Sequence, residues 1–139
     1  MSGGSTAGYS GTPLPRKLGI TAGSRFATKH APDGFADTLG ELPPEAEWRR
    51  QIRPGLDVVV GFYTERSAMV RDWPRLTAAA APNGTVWIAW PKRASGVPTD
   101  ITEDVLRAEL LPTGWVDNKV CAIDATWSGL RFALRRELR

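Results

Sequence analysis

The alternation of apolar and polar residues along the chain predicts strands and helices in turn. Leu56–Phe62 and Thr85–Trp90 are nearly continuous apolar runs, which is typical of parallel strands covered on both faces. Between them, apolar residues at helical spacing predict a helix capped by Thr64. We expect Pro74 to kink or break it, because proline lacks a backbone donor and clashes with the preceding turn. Such alternation indicates βα units.

Weaker signals of the same kind precede these two runs. Residues 25–30 predict a weak strand, Pro32–Phe35 opens a short helix that Gly40 ends, and residues 46–51 predict a second strand at a sheet edge. Residues 1–12 are rich in Gly and Ser and lack large apolar side chains. Burial cannot offset their ordering entropy, so we predict a flexible tail.

A further helix is predicted after the second apolar run. Asp100, with another acid three residues later, has the spacing of a capping box and predicts a helix that begins near Ile101. The buried stripe of this helix is then expected to consist of Ile101, Val105 and Ala108. A turn at residues 112–114 ends it.

The C-terminal segments predict two more strands. Trp115–Asp124 predicts one, and Leu130–Arg136 predicts another in which apolar residues alternate with arginines and alanine. The short connection between them favours an antiparallel pair. Together with the two covered strands, this predicts a single α/β domain over residues 13–139. We expect a truncated Rossmann-like sheet, mostly parallel, with an antiparallel C-terminal strand pair.

Composition excludes several classes of protein. The chain has 139 residues, of which 42% are hydrophobic and 24% charged, with a net charge of +3; this is ordinary globular composition. No apolar run approaches the roughly 20 residues that span a bilayer, so we predict no membrane association. One cysteine, Cys121, and one histidine, His30, exclude a disulfide framework and a cysteine- or histidine-rich metal site. With no signal-peptide pattern, this predicts a cytoplasmic location.

Several segments carry a resemblance to known families. Leu56–Phe62, the helix after it, the Pro82–Gly84 turn and Thr85–Ile88 resemble the fourth and fifth strands of class I methyltransferases. More closely, nearly the whole chain from Pro13 onward is similar to the small bacterial domain-of-unknown-function family numbered 3052. The segments that carry this second resemblance are Pro15–Ile20, Leu56–Val59, Trp90–Gly96, Thr99–Glu103 and Trp127–Leu130. That family implies no activity, because none is established for it.

The methyltransferase resemblance implies where a ligand binds. A strand order of 2-1-3-4-6-5 places a crevice at the carboxyl ends of the first and third strands, where the order reverses. The residues expected to face it are Ala31, Pro32, Asp33, Gly34, Phe35, Tyr63 and Thr64. Enzymes of this class that use S-adenosylmethionine have a Gly-rich loop after the first strand and an acid ending the second. Here only Gly34 remains, the second strand ends in Arg49-Arg50-Gln51, and one βα unit is missing, so we predict no cofactor and disfavour S-adenosylmethionine.

The loop after the second apolar run is another candidate ligand site. Lys92 and Arg93 supply positive charge, and Ser95 and Gly96 can present a hydroxyl and backbone amides to an anion. The alternative is a solvated loop in which the serine and the glycine only form the turn.

Tryptophans and charge runs provide weaker candidates. Trp90 and Trp127 lie at the ends of predicted strands, where each either walls a ligand pocket or fills the core. Residues 131–139 hold four arginines and one glutamate, and residues 33–47 hold five acids and no base. These surfaces either dock a partner or only keep the protein soluble.

These observations favour a small cytoplasmic binding or regulatory module that is not catalytic and engages an anionic metabolite or a protein partner. The alternative is a degenerate S-adenosylmethionine-dependent methyltransferase-like enzyme. A third hypothesis, nucleic-acid binding through the basic C-terminus, is disfavoured because basic and aromatic residues are not interleaved on one strand. No Gly-x-Ser-x-Gly, P-loop or metal-helix motif occurs, so we assign no catalytic residue and no metal ligand. The oligomeric state stays open.

Overall fold

One sheet organises the part of the chain that the structure, a computed structural model, describes: residues 11–139. Its strands are β1 (Arg25–Lys29), β2 (Glu47–Arg49), β3 (Val58–Phe62), β4 (Thr85–Pro91), β5 (Trp115–Ala122) and β6 (Trp127–Leu134). They lie in the order β2-β1-β3-β4-β6-β5. The first four pair in parallel, and β6 is antiparallel to both β4 and β5. The predicted α/β sheet is confirmed; the predicted flexible tail lies outside the described residues, apart from 11 and 12.

Helices cover both faces of this sheet. They are α1 (Leu14–Lys17), α2 (Phe35–Leu39), α3 (Arg66–Ala80) and α4 (Glu103–Leu110). Apolar residues of α1 and α2 pack on one side, here called the α1/α2 face, and those of α3 and α4 pack on the other, the α3/α4 face. Within residues 11–139, no helix has the length and apolarity needed to cross a membrane.

The two apolar runs form the central parallel strands. All five residues of β3 are buried, as are all residues of β4 except Thr85. β3 lies between β1 and β4, so its neighbours satisfy its backbone while both of its faces are covered. This confirms the prediction made from the continuous apolar pattern.

Helix α3 does not start with the predicted Thr64 cap. Its N-cap residue is Glu65, whose side chain makes no capping hydrogen bond. Instead, the backbone amide of Arg66 donates to Oδ1 of Asp100, 2.7 Å away and 34 residues further along the chain. The carbonyl of Thr64 accepts a hydrogen bond from the Thr99 hydroxyl at 2.6 Å. A carboxylate from the loop after β4 therefore takes the capping role that a local side chain was predicted to have.

Pro74 does not break α3, which runs without interruption from Arg66 to Ala80. Buried residues lie on both sides of the proline, namely Met69 and Trp73 before it and Leu76 after it. Packing of this stripe against the sheet offsets the hydrogen bond that proline removes, so tertiary contacts override the local preference.

Helix α4 begins later than predicted. Its N-cap is Thr102, whose Oγ1 accepts a hydrogen bond from the Val105 amide at 3.1 Å. The helix buries Leu106 and Leu110, while Val105 is half-buried and Ala108 is exposed. The predicted stripe of Ile101, Val105 and Ala108 is wrong, because Ile101 is buried but precedes the helix and the other two residues are not buried.

Removing the long-range cap is expected to have a moderate cost. We expect Asp100→Ala to lower the free energy of unfolding by roughly 1 kcal/mol, because the first amide of α3 loses its acceptor. Urea denaturation followed by circular dichroism measures this loss. The matched control is Asp33→Ala at an exposed position, which we expect to stay within about 0.5 kcal/mol of the wild type. Equal effects of both changes would contradict the capping role.

Candidate functional site

The strand order reverses between β1 and β3, as the resemblance implied. From β1 the sheet continues to β2 on one side, and from β3 it continues to β4 on the other. In open parallel sheets this arrangement leaves a crevice at the carboxyl ends of the two diverging strands. The loops at this edge are residues 30–34 after β1 and residues 63–65 after β3.

The loop after β1 turns through left-handed backbone at both ends. His30 has a φ of 61° and Gly34 a φ of 82°. No heavy atom lies within 4 Å of the position that a Cβ on Gly34 would occupy, so the backbone there is open to approach. Asp33 and Gly34 are exposed, and Ala31 and Pro32 are half-buried. These four candidates therefore line an accessible loop.

Phe35, by contrast, belongs to the core. Only 3% of its surface is exposed, and its ring makes edge contacts with Phe62 at 5.1 Å and with Trp48 at 5.9 Å between centroids. It anchors the start of α2 on the α1/α2 face, so its side chain does not point to a ligand at the surface.

Tyr63 is also a core residue rather than a ligand-facing one. Its side chain is buried on the α3/α4 face, and its hydroxyl donates to Oδ2 of Asp72 at 2.8 Å. Burial and this acceptor raise the pKa of Tyr63 far above its ordinary value, so the phenol stays protonated. His30 contacts the ring edge-on at 5.3 Å. At this end of β3, only Thr64 of the two candidates is exposed.

The loop after β4 is a short 3-10 turn closed by its own serine. The Ser95 hydroxyl donates to the Lys92 carbonyl at 2.6 Å, and Gly96 has a φ of 77°. The Lys92 amide donates to the Thr126 carbonyl at 2.7 Å, which ties the loop to the β5–β6 connection. Within residues 11–139, neither Lys92 nor Arg93 forms an ion pair with a carboxylate. Two cations thus stay available, while the serine forms the turn.

Trp90 and Trp127 do not wall one pocket together. Trp90 is 8% exposed and belongs to the α3/α4 face. Trp127 is half-buried on the opposite face, edge-on to Phe62 with 5.2 Å between centroids. Trp90 is therefore a core residue, and Trp127 reaches the surface only on the α1/α2 side.

The candidate residues form two clusters. Residues 31–34 lie at the carboxyl end of β1, and Lys92 and Arg93 lie beyond β4, with β3 between the two strands. Adjacent strands are about 4.8 Å apart, so the clusters start roughly 10 Å from each other. Hydrogen bonds connect the loop after β4 to the loops after β3 and β5, through Thr99–Thr64 and Lys92–Thr126.

In the part of the chain that the structure describes, neither the Cys121 thiol nor a cluster of metal-ligating side chains provides a reactive group. Cys121 is buried, and burial raises the pKa of its thiol, so the thiolate that attacks substrates is disfavoured. No group of three or more His, Cys, Asp or Glu side chains within residues 11–139 has the arrangement of a metal site.

The structure shows a feature that the sequence analysis missed. A cavity of about 350 Å³ is lined by Arg25, Arg49, Arg50, Gln51, Arg53, Pro54, Gly55 and Leu56. The three arginines within residues 49–53 are the sequence signal for this cavity. In the sequence they indicate only that β2 does not end in an acid.

Solved structures with a similar fold include several methyltransferases. The chain is similar to an S-adenosylmethionine-dependent methyltransferase from Aquifex aeolicus, with a TM-score of 0.61, 14% identity and 86% of each chain covered. It is also similar to DhpI in complex with S-adenosylhomocysteine, with a TM-score of 0.56, 14% identity, and 89% of this chain and 83% of that chain covered. The magnesium protoporphyrin IX methyltransferase ChlM from Synechocystis PCC 6803, solved with bound S-adenosylmethionine, gives a TM-score of 0.57 at 10% identity, with 88% and 74% covered.

At 10–14% identity, these neighbours show that the chain has a methyltransferase-like fold, and a shared fold does not carry an activity. No protein-family model matches the chain, and no curated protein does. The resemblance to the family numbered 3052 therefore stays a prediction.

Proposed function

We propose that this protein is a methyltransferase-like protein that binds a small molecule in the crevice between β1 and β3. The observation that carries the proposal is the reversal of strand order at these two strands, with an open loop at the carboxyl end of β1. The likeness to structures solved with S-adenosylmethionine and S-adenosylhomocysteine makes these compounds the first ligands to test.

The residues present fit only part of S-adenosylmethionine. The left-handed, uncovered Gly34 permits close approach of a ligand to the backbone. The end of β2, however, offers arginine where a carboxylate would hold the ribose hydroxyls. The acid of that strand, Glu47, lies at its start and is paired with Arg49 at 2.8 Å. The crevice therefore does not fit this cofactor in the way that such enzymes hold it, and we assign no methyl-transfer step to it.

Isothermal titration of the protein with S-adenosylmethionine and S-adenosylhomocysteine tests the crevice. A Kd of 100 μM or below for either compound, on the order of −5.5 kcal/mol, would show that the crevice holds the compound without a carboxylate at the end of β2. If neither compound binds at millimolar concentration, a methyltransferase function is excluded. The second candidate function, described below, then remains.

A side chain on Gly34 is expected to block the crevice. Gly34→Val places a branched side chain in the open approach to the loop, and we expect it to abolish binding of the crevice ligand. The matched control is Gly23→Val, which has a similar φ of 77°, equally open surroundings and a position before the amino end of β1. Both variants should lose similar stability from backbone strain, and only the first should lose the ligand. Equal binding by both would move the site away from this loop.

A second candidate function is recognition of an anionic metabolite by the loop after β4. The observation that favours it is a pair of cations, Lys92 and Arg93, that form no ion pair within residues 11–139 and lie on a turn held by hydrogen bonds. Under this candidate the protein catalyses no reaction and acts as a binding or regulatory module.

Titration with a sugar monophosphate tests this loop. A charge-assisted hydrogen bond contributes roughly 1.5–3 kcal/mol, so we expect Lys92→Ala to weaken binding about tenfold or more. The melting temperature should change little, because Lys92 has no ion pair within the described residues. Lys119→Ala, which removes an exposed lysine of β5, is the control for loss of charge alone. Unchanged affinity in Lys92→Ala would make the loop a plain connection.

A further inference from the structure

We propose that the protein has a second ligand site, the arginine-lined cavity beside β2, and that this site binds a compound carrying a diphosphate group. The cavity measures about 350 Å³ and has Arg25, Arg49, Arg50 and Arg53 in its lining. None of its lining residues belongs to the crevice loops or to the loop after β4. The proposal therefore goes beyond the function proposed above.

The cavity exists because one crossover lacks a helix. Residues 50–57 return from the carboxyl end of β2 to the amino end of β3, and no helix forms among them. Ile52 and Leu56 anchor this segment on the α3/α4 face, where they are 8% and 6% exposed. All three residues of β2 are exposed, and among the described residues the strand is covered only where Trp48 packs on Phe26 and Phe35 of the α1/α2 face. The segment and the edge of the sheet leave the cavity between them.

The charge around the cavity is strongly positive. Four of its lining residues are arginines, and none of its lining residues is acidic. Within residues 11–139, one of them has an ion pair, that of Arg49 with Glu47 at 2.8 Å, and Arg25, Arg50 and Arg53 have none. Asp57, which lies close in the chain, accepts a hydrogen bond from the Arg25 amide at 2.8 Å. Three arginines of the lining thus have no ion pair within residues 11–139, and the one carboxylate beside them, that of Asp57, is bonded to backbone.

This arrangement favours a compact anion with several charges. Like charges around one concave surface repel each other and raise the local concentration of anions. The planar fork of arginine matches phosphate oxygens with two parallel hydrogen bonds, which a lysine cannot do. A terminal phosphate carries up to two negative charges at neutral pH, and the inner phosphate adds one, which balances three unpaired arginines. The volume lies near the lower limit of small-molecule pockets, about 300 Å³, and suits a ligand of this size.

The surroundings favour a small molecule over a nucleic acid strand. Single-stranded nucleic acid is held by aromatic platforms next to a basic groove. The nearest exposed aromatic side chain on this strand, Trp48, packs on Phe26 with 5.5 Å between centroids, and the Phe26 ring lies on the α1/α2 face. The cavity includes Leu56 of the α3/α4 face. The exposed part of Trp48 therefore belongs to the opposite face of the sheet from the cavity, which does not favour stacking of bases next to the arginines.

Isothermal titration with inorganic pyrophosphate and with ADP at low salt tests the site. We expect both probes to bind, AMP to bind about tenfold more weakly, and adenosine not to bind. In Arg50→Ala/Arg53→Ala, affinity for pyrophosphate should fall about 100-fold, because each charge-assisted contact is worth about a factor of ten or more. The matched control is Arg135→Ala/Arg136→Ala, which removes the same charge from the exposed C-terminus and should keep its affinity. A ligand-induced rise in melting temperature should vanish in the first double variant only.

Three results would overturn the proposal. The first is no pyrophosphate binding at millimolar concentration, and the second is an equal loss of affinity in both double variants, which indicates a general effect of net charge. The third is an oligonucleotide that binds more tightly than pyrophosphate and depends on the same two arginines, which would make the site a nucleic-acid surface. If the alanine variant does not fold, Arg50→Gln/Arg53→Gln provides the same comparison with longer polar side chains.

Discussion

Val59→Asp is expected to abolish cooperative folding. Val59 has no exposed surface and lies mid-strand in β3, paired with Ala27 of β1 and Val86 of β4. Its neighbours on the α3/α4 face are apolar, so the new carboxylate would have no partner. Burying an unpaired charge costs several kcal/mol, which is comparable to the whole stability of a small domain, about 5–15 kcal/mol.

Circular dichroism during heating and urea titration measures this effect. The matched control is Val70→Asp, the same chemical change at a position of α3 that is 39% exposed. We expect the control to unfold cooperatively within about 1 kcal/mol of the wild type. A Val59→Asp protein that melts like the control would show that β3 is not the covered centre of the sheet.

Gly84→Ala is expected to destabilise the protein by about 3 kcal/mol, a large effect for one methyl group. A Cβ at this position would lie 2.6 Å from the carbonyl oxygen of Leu56, 2.7 Å from that of Ala80 and 2.9 Å from that of Asp57. These are backbone atoms, and the Asp57 carbonyl also accepts the Thr85 amide at 2.9 Å. The start of β4 would have to move away from β3 to relieve the contact.

Asn83→Ala is the control for this change, since Asn83 is exposed and lies in the same turn. Urea denaturation should show a clear loss for Gly84→Ala and less than about 0.5 kcal/mol for Asn83→Ala. Similar stabilities of the two variants would mean that the turn adapts and that the close approach is not needed.

The elements predicted correctly are those whose signal is contained in one segment. The continuous apolar runs of β3 and β4 reflect burial on both faces, and Gly40 ends α2 with a φ of 77° that few other residues adopt. The strand order, and with it the place of the crevice, followed from the resemblance of these two runs to a known fold.

The errors in helix capping occurred where distant residues compete for the same polar group. Asp100 was predicted to cap its own helix, but its carboxylate accepts the first amide of α3. Thr102 then becomes the cap of α4, and the buried stripe moves to Leu106 and Leu110. Nothing within residues 99–110 indicates that an amide 34 residues earlier needs an acceptor.

The sequence by itself determined the fold class and the two covered strands, because hydrophobic period and glycine conformation are local properties. Only the tertiary structure decided which candidate residues stay accessible to a ligand, because it buries Phe35, Tyr63 and Trp90 in the core. It also brought Arg25 beside residues 49–53, since parallel pairing of β1 with β2 joins segments that are more than twenty residues apart. Charge and burial at a site depend on such pairings, and no local pattern contains them.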